Sequence, residues 1–158
     1  MGYNITIGNA ETEFDKEWFP ELSARWVVGT VENDDAPVFK NDEMTGKSNC
    51  RSPSYTTWSD FTKSAGLHKL FFGDEQQYKG LMAQHPGCVG ITQEDADVVT
   101  AALNKYKSMA TLPPGFEEGW VVHEGPPNYD YTLARLIWLE YWMQWAVKNC
   151  DTPAIWNT

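Results

Sequence analysis

Between Tyr129 and Cys150 the chain reads YDYTLARLIWLEYWMQWAVKNC, and from Tyr131 to Val147 the apolar run is broken only by Thr132, Arg135, Glu140 and Gln144. At a helical period Tyr131, Trp138, Trp142 and Trp145 fall on one side, with Arg135 at its margin. Glu140, Gln144 and Lys148 make a narrow polar stripe roughly opposite. A helix this apolar around its circumference must be enclosed by protein. A membrane span is the poorer reading, since no stretch approaches the ~18–20 uncharged apolar residues that crossing a bilayer requires. The stretch is therefore expected to be the central helix of the fold, with its tryptophans in the packing. The functional alternative makes Arg135, Trp138 and Trp142 a wall that recognises a planar or anionic ligand.

What surrounds that helix follows from local pattern. Tyr3 to Ile7 alternates apolar and polar residues with period two, a half-buried strand ended by Gly8 and Asn9. Glu11 to Glu21 is acidic and broken by Pro20, a loop. Arg25 to Val31 is rich in β-branched residues and predicts a second strand, closed by the turn-forming run Asn33 to Pro37. Two strands do not make a stable sheet. Either Val38–Phe39, Leu70–Phe72 and Trp120–Val122 add strands, or the hairpin lies on the helices. Ser52 and Pro53 suit the N-cap and first position of a helix running to Ala65, which would bury Tyr55, Trp58, Phe61 and Ala65. Gly66 closes it, with Leu67 placed for the apolar contact beyond the cap. Gln76 to Gln84 predicts a short helix stopped by His85, Pro86 and Gly87. From Thr92 to Met109 the signals agree best: Thr92 and Asp95 form a capping box, and Val99, Ala102, Leu103, Tyr106 and Ala110 make one apolar stripe. Pro113, Pro114 and Gly115 end this helix, and a Gly/Pro-rich loop with Trp120 and His123 runs to Asn128. Asp151 to Trp156 reads as a short tail whose Ile155 and Trp156 tuck back or meet a neighbour.

The expected architecture is α+β, a single domain over residues 1–158: a small antiparallel N-terminal sheet packed on about three helices, with the Trp-rich C-terminal helix at the centre. The net charge of −10 argues against a binder of nucleic-acid backbone, because neutralising phosphates dominates that affinity. It suits solubility. Cys50, Cys88 and Cys150 are too scattered for a disulfide framework, and with no signal peptide at the start the expectation is a reducing cytoplasm. Apolar surface on the central helix and the tail, beyond what a small sheet and two helices cover, predicts a homo-oligomer.

For chemistry, the most polar and least periodic segment is Asn41 to Arg51. Gly46-Lys47-Ser48 has the end of a phosphate-binding loop, yet that motif needs a glycine where this chain has Asn41. A looser anion site remains: Lys47, Ser48, Asn49 and Arg51 beside a helix N-terminus offer charge and N–H donors, and Tyr55 and Trp58 stand one and two turns in, where a base or ring stacks. His85 and Cys88 have a spacing that two zinc ligands use, with Cys50, His123 or Cys150 to complete a set. No second paired motif exists, so no metal and no cofactor are assigned. No nucleophile elbow occurs, and carboxylates such as Glu43, Asp60 and Glu140 cannot be paired from sequence, so no catalytic residue is assigned either.

The opening Met1 to Ala10, the segment Asn41 to Gly46 and the close Asn149 to Asn157 resemble the corresponding parts of small uncharacterised phage and prophage proteins. That resemblance implies a phage product made in a bacterial cytoplasm. It carries no assigned activity and no functional residues. Small phage proteins of this kind often sequester a host signalling molecule or block a host factor. The leading expectation is accordingly a non-catalytic protein that binds a small anionic, nucleotide-like ligand and counters host defence signalling. The alternatives are an acidic protein-binding inhibitor of a host enzyme, and a small enzyme of unrecognised type.

Overall fold

The computed structural model describes residues 1–14, 24–38, 46–74, 79–109 and 130–158. Among them the element order is β1 (Ile5–Phe14), β2 (Ala24–Val28), β3 (Cys50–Arg51), α1 (Tyr55–Ser64), α2 (His68–Phe72), β4 (Gly87–Gly90), α3 (Gln93–Met109), α4 (Tyr131–Asn149) and β5 (Pro153–Asn157). The class is α+β, with an antiparallel five-stranded sheet in the order β2-β1-β5-β4 and β3 also paired to β1. The sheet is not confined to the N-terminal part of the chain. β5, at the far end of the sequence, lies between β1 and β4.

α4 is the centre. It buries Leu133, Ala134, Leu136, Ile137, Trp138, Leu139, Trp142, Met143 and Ala146 against Ile5, Ile7 and Ile155 of the sheet and the apolar faces of α1 and α3. The Asp130 side chain caps it by accepting from the Leu133 amide at 2.9 Å, and the Tyr106 hydroxyl of α3 donates to the same carboxylate at 2.9 and 3.0 Å. Burial and this bond to Asp130 push the Tyr106 phenol above its ordinary pKa. Much of the apolar area that motivates a homo-oligomer is covered within the chain: those α4 residues are buried, and so is Ile155 of the supposed tail, while Trp156 is half-buried.

Several local expectations change on contact with tertiary structure. β1 does not stop at Gly8 and Asn9 but runs on through Glu11–Phe14, where the sequence predicts a loop; residues 15–21 of that loop lie outside the described residues. Gly8 is a matter of space, since a Cβ there would come within 3.1 Å of Val28 Cγ1 and 3.2 Å of Asn49 Nδ2. Asn9 accepts from the Thr152 amide at 2.8 Å and sets the start of β5. The cap of α1 is Ser54, whose Oγ accepts from the Thr57 amide at 3.1 Å. Ser52 and Pro53 stay extended because the Pro53 carbonyl accepts from Tyr3 at 2.9 Å and Ser52 Oγ donates to Asn4 at 2.6 Å. The other end follows expectation. Gly66 takes φ 71°, and Leu67 and Gly66 donate back to Thr62 and Lys63 at 2.8 and 3.2 Å, closing both open carbonyls.

Leu70–Phe72 lies in the short helix α2 and adds no strand. Phe39 and Trp120–Val122, the other candidate strand residues, lie outside the described residues, as do Ala110, residues 113–128 and most of the loop before Gly46. Residues 79–84 form turns instead of the helix expected over Gln76–Gln84, of which 76–78 fall outside the described residues. The supposed stop at His85, Pro86 and Gly87 leads directly into β4. The capping box of α3 forms as expected: Thr92 Oγ1 accepts from Asp95 N at 3.2 Å, and Asp95 Oδ2 accepts from Thr92 N at 2.9 Å.

β1 changes neighbours along its length, pairing with β3 through Ile5 and Thr6 and with β2 from Ala10 onwards. Asn49, fully buried, fills the seam. Its Nδ2 donates to the Ile7 and Gly29 carbonyls at 2.9 and 3.0 Å, and its Oδ1 accepts from Val31 N at 2.7 Å. Its backbone adds bonds to Val31 O at 3.0 Å and from Ile7 N at 3.1 Å. Asn49→Ala removes the partner of three backbone groups, the buried Ile7 carbonyl and the part-buried Gly29 carbonyl and Val31 amide, at about 1 kcal/mol each. Urea denaturation of this variant is expected to show a loss of about 3 kcal/mol; a loss below ~1 kcal/mol would refute the role given to the amide.

Candidate functional site

The polar loop before α1 is occupied by the fold. Lys47 Nζ lies 3.2 Å from Asp34 Oδ1. Ser48 O accepts from Trp138 Nε1 at 3.0 Å, while Ser48 Oγ accepts from Cys50 N at 3.1 Å. Arg51 Nη1 donates to Cys50 O at 2.6 Å, and its guanidinium packs over Gly46, where φ is 131° and a Cβ would collide with it. Asn49 is committed to the seam. The N-terminus of α1 is closed by Ser54. Trp58 is fully buried, its ring centroid 5.0 Å from Phe61 and 5.2 Å from Phe71. Of the residues expected at an anion site here, Tyr55 is the aromatic that stands exposed.

The wall expected on the central helix is also divided. Trp138 and Trp142 are fully buried and present no surface to a ligand. Asn49 and Trp58 share that position. The physical reason is the one that makes α4 central: a helix covered on nearly all sides hides the residues that a wheel places on one face. Arg135 sits at the surface, its guanidinium 5.3 Å from the centroid of the Tyr131 ring, and lines with Thr57, Asp60, Tyr131 and Thr132 a groove of about 300 Å³ between α1 and α4.

The polar stripe of α4 has a different fate. Glu140, Gln144 and Lys148 face the start of α3, and with Gln93, Tyr141 and Trp145 they line a groove of about 450 Å³. Its lining residues Gln93, Glu140 and Gln144 are joined with Asp97 and Thr100 of α3 in one continuous network. Gln144 Nε2 donates to Thr100 Oγ1 at 2.8 Å and Asp97 Oδ1 at 3.2 Å, and the Thr100 hydroxyl donates to Glu140 Oε1 at 2.9 Å. Gln93 Nε2 donates to Asp97 Oδ1 at 2.9 Å and Gln144 Oε1 at 3.1 Å. Its wall is aromatic. The Asn33 amide, oriented to donate to Glu32 O, accepts from Tyr141 Oη at 3.2 Å and Trp145 Nε1 at 3.0 Å, so both rings are fixed in place. Trp145 is half-buried, and Lys148 is exposed at the rim. The stripe itself is visible in the sequence; that Gln93, Asp97 and Thr100 of another helix meet it is not.

The thiols do not suggest nucleophiles. Burial raises the pKa of Cys88, and burial together with the Asp151 charge raises that of Cys150. Among the described residues no group of three or more His, Cys, Asp and Glu side chains is placed to hold a metal ion, and His123 lies outside them. No helix of the described residues is long and apolar enough to cross a membrane.

Comparison with family models, curated proteins and solved structures gives no match. The functional reading therefore rests on the chain's own geometry.

Trp138 offers a direct check on the division between core and surface. Trp138→Phe keeps an aromatic ring but removes the bond to Ser48, and a destabilisation of about 1–3 kcal/mol is expected in thermal or urea unfolding. An unchanged unfolding midpoint would show that this ring is not holding the loop to α4.

Proposed function

We propose that the protein is a non-catalytic binding protein that takes up a small planar anionic ligand of nucleotide type in the groove between α3 and α4. The observation that carries this reading is the juxtaposition of fixed aromatic rings, side-chain amides and an exposed ammonium in one groove: Tyr141 and Trp145, Gln93 and Asn149, and Lys148. A base stacks on an aromatic ring, amide and carboxylate oxygens accept from its amino groups, and a lysine pairs with phosphate. Glu140 fits because its Oε1 is already bonded to Thr100, leaving the carboxylate as an acceptor for amino groups. The biological reading, sequestration of a host signalling nucleotide by a phage product, extends the resemblance of the chain's ends and central loop to small phage proteins.

A second reading keeps the protein as an inhibitor of a host enzyme. Its support is the acidic surface, with a net charge of −10, and Trp26 of β2, which is 54% exposed.

Thermal unfolding against a panel of mono-, di- and cyclic nucleotides distinguishes the two. Binding is expected to raise Tm, and the ligand should be recovered chemically unchanged after denaturation. Lys148→Glu alters an exposed residue and should leave Tm without ligand unchanged, while weakening binding about tenfold or more, the scale of a charged hydrogen bond. If no nucleotide shifts Tm, the ligand-binding reading fails. If a nucleotide binds and Lys148→Glu binds it equally well, the groove is the wrong site.

A further inference from the structure

At the end of the sheet away from that groove, three side chains form a hydrogen-bonded chain from the core to the surface. Asn157, on the central strand β5, is fully buried. Its Nδ2 donates to the carbonyls of Gln84 and Gly87 at 3.0 and 3.3 Å, which fixes the direction of the amide and turns its oxygen outward. That oxygen lies 2.6 Å from His85 Nδ1. An amide oxygen only accepts, so Nδ1 carries the proton. In the neutral ring Nε2 is then a lone pair, and it lies 3.2 Å from the hydroxyl of Tyr55 at the start of α1. Tyr55 is 38% exposed and stands at the surface of the protein. The Tyr3 ring packs edge-on against both partners, with centroids 4.7 Å from Tyr55 and 4.9 Å from His85, and holds the pair in register.

A buried group that orients a base, a base in contact with a hydroxyl, and a hydroxyl on a surface residue is the arrangement of an activated nucleophile. A purely structural strut has no need to leave the imidazole lone pair aimed at the phenol of a surface residue. We propose that Tyr55 is a nucleophile activated by His85 and positioned through Asn157, which accepts an acyl group from an activated carboxylic ester in a single turnover. In the step, the phenolic oxygen forms a bond to the acyl carbon and the bond from that carbon to the leaving oxygen breaks. The leaving group departs with the electron pair. The phenolic proton passes to His85 Nε2, and the imidazolium then returns it to solvent.

The test uses p-nitrophenyl acetate as the probe on the intact protein, with release of p-nitrophenolate followed by absorbance and the acetylated residue mapped by peptide mass spectrometry. One equivalent of p-nitrophenolate should be released, and the acetyl group should sit on Tyr55 ahead of every other tyrosine. Acylation through an imidazole base levels off near neutral pH, whereas unassisted acylation of a phenol keeps climbing towards pH ~10. The profile for Tyr55 should level off. His85→Gln, which bonds the phenol but takes no proton, should slow labelling about 100-fold, the usual contribution of a general base. Tyr55→Phe should remove the burst. Labelling spread evenly over the tyrosines, or a Tyr55 profile that rises without levelling, overturns the proposal in the wild-type protein alone. Equal labelling of a folded His85→Gln variant does so as well.

Discussion

The side chain of Asn49 is the interaction on which the sheet depends. β1 must serve two partners on one edge, and between β3 and β2 no strand lies beside that edge. An open carbonyl and amide in that position would be buried without partners, which a domain of this size does not tolerate at several sites. The amide of Asn49 supplies both a double donor and an acceptor, and its own peptide group completes the set. The neighbouring Ser48 carbonyl receives the indole N–H of Trp138. The same short loop therefore closes the sheet and ties it to the central helix. Gly8 follows from this arrangement, since the amide comes close enough to β1 to exclude a side chain there.

The second constraint is the return of the chain end. β5 pairs with the first half of β1, residue for residue from Ile5 opposite Asn157 to Asn9 opposite Pro153. The three residues between α4 and β5 leave little slack, and the Thr152 amide and carbonyl are both held, by Asn9 Oδ1 and by Ala10 N at 2.8 Å. The direction of α4 is thereby locked to β1. Since the paired strands lie at opposite ends of the sequence, their association is a contact of high sequence separation, the kind that slows folding. α4 reduces the difficulty by giving the hydrophobic core a long apolar surface on which both ends meet.

What could be read from sequence follows the range of the forces involved. The capping box of Thr92 and Asp95, the glycine exit at Gly66 and the apolar circumference of α4 are local signals, and all three appear where the pattern puts them. Ser52 and Pro53 look like a helix start equally well on local grounds, and the long-range bonds from Tyr3 to Pro53 and from Ser52 to Asn4 decide against it. β5 looks like a tail on local grounds because five residues after a helix carry no sign of the partner waiting at the other end of the chain. The candidate site divides the same way. Lys47, Ser48, Asn49 and Arg51 form a polar cluster that suggests a ligand, yet a buried loop needs polar side chains for its own backbone, and composition does not separate the two uses. The stripe of Glu140, Gln144 and Lys148 was legible as a stripe, but its meaning depends on Gln93, Asp97 and Thr100 arriving from α3.

Two fully buried asparagines show how that ambiguity resolves once geometry is known. Asn49 gives every side-chain bond to the backbone, two carbonyls and one amide, so its environment is complete without anything outside the chain. Asn157 also anchors two carbonyls, but its oxygen is spent on His85, a residue at the surface whose second nitrogen reaches another exposed side chain. Stability alone would be served by ending the network inside, where each bond is shielded from competition by water. Carrying it outward costs side-chain entropy at His85 and Tyr55, because both rings must be held in one arrangement. The edge contacts of Tyr3 offset part of that cost. An inward-facing network specifies a fold; one that leads outward to an oriented base also prepares chemistry at the surface, and that difference separates the Asn157 cluster from the Asn49 seam.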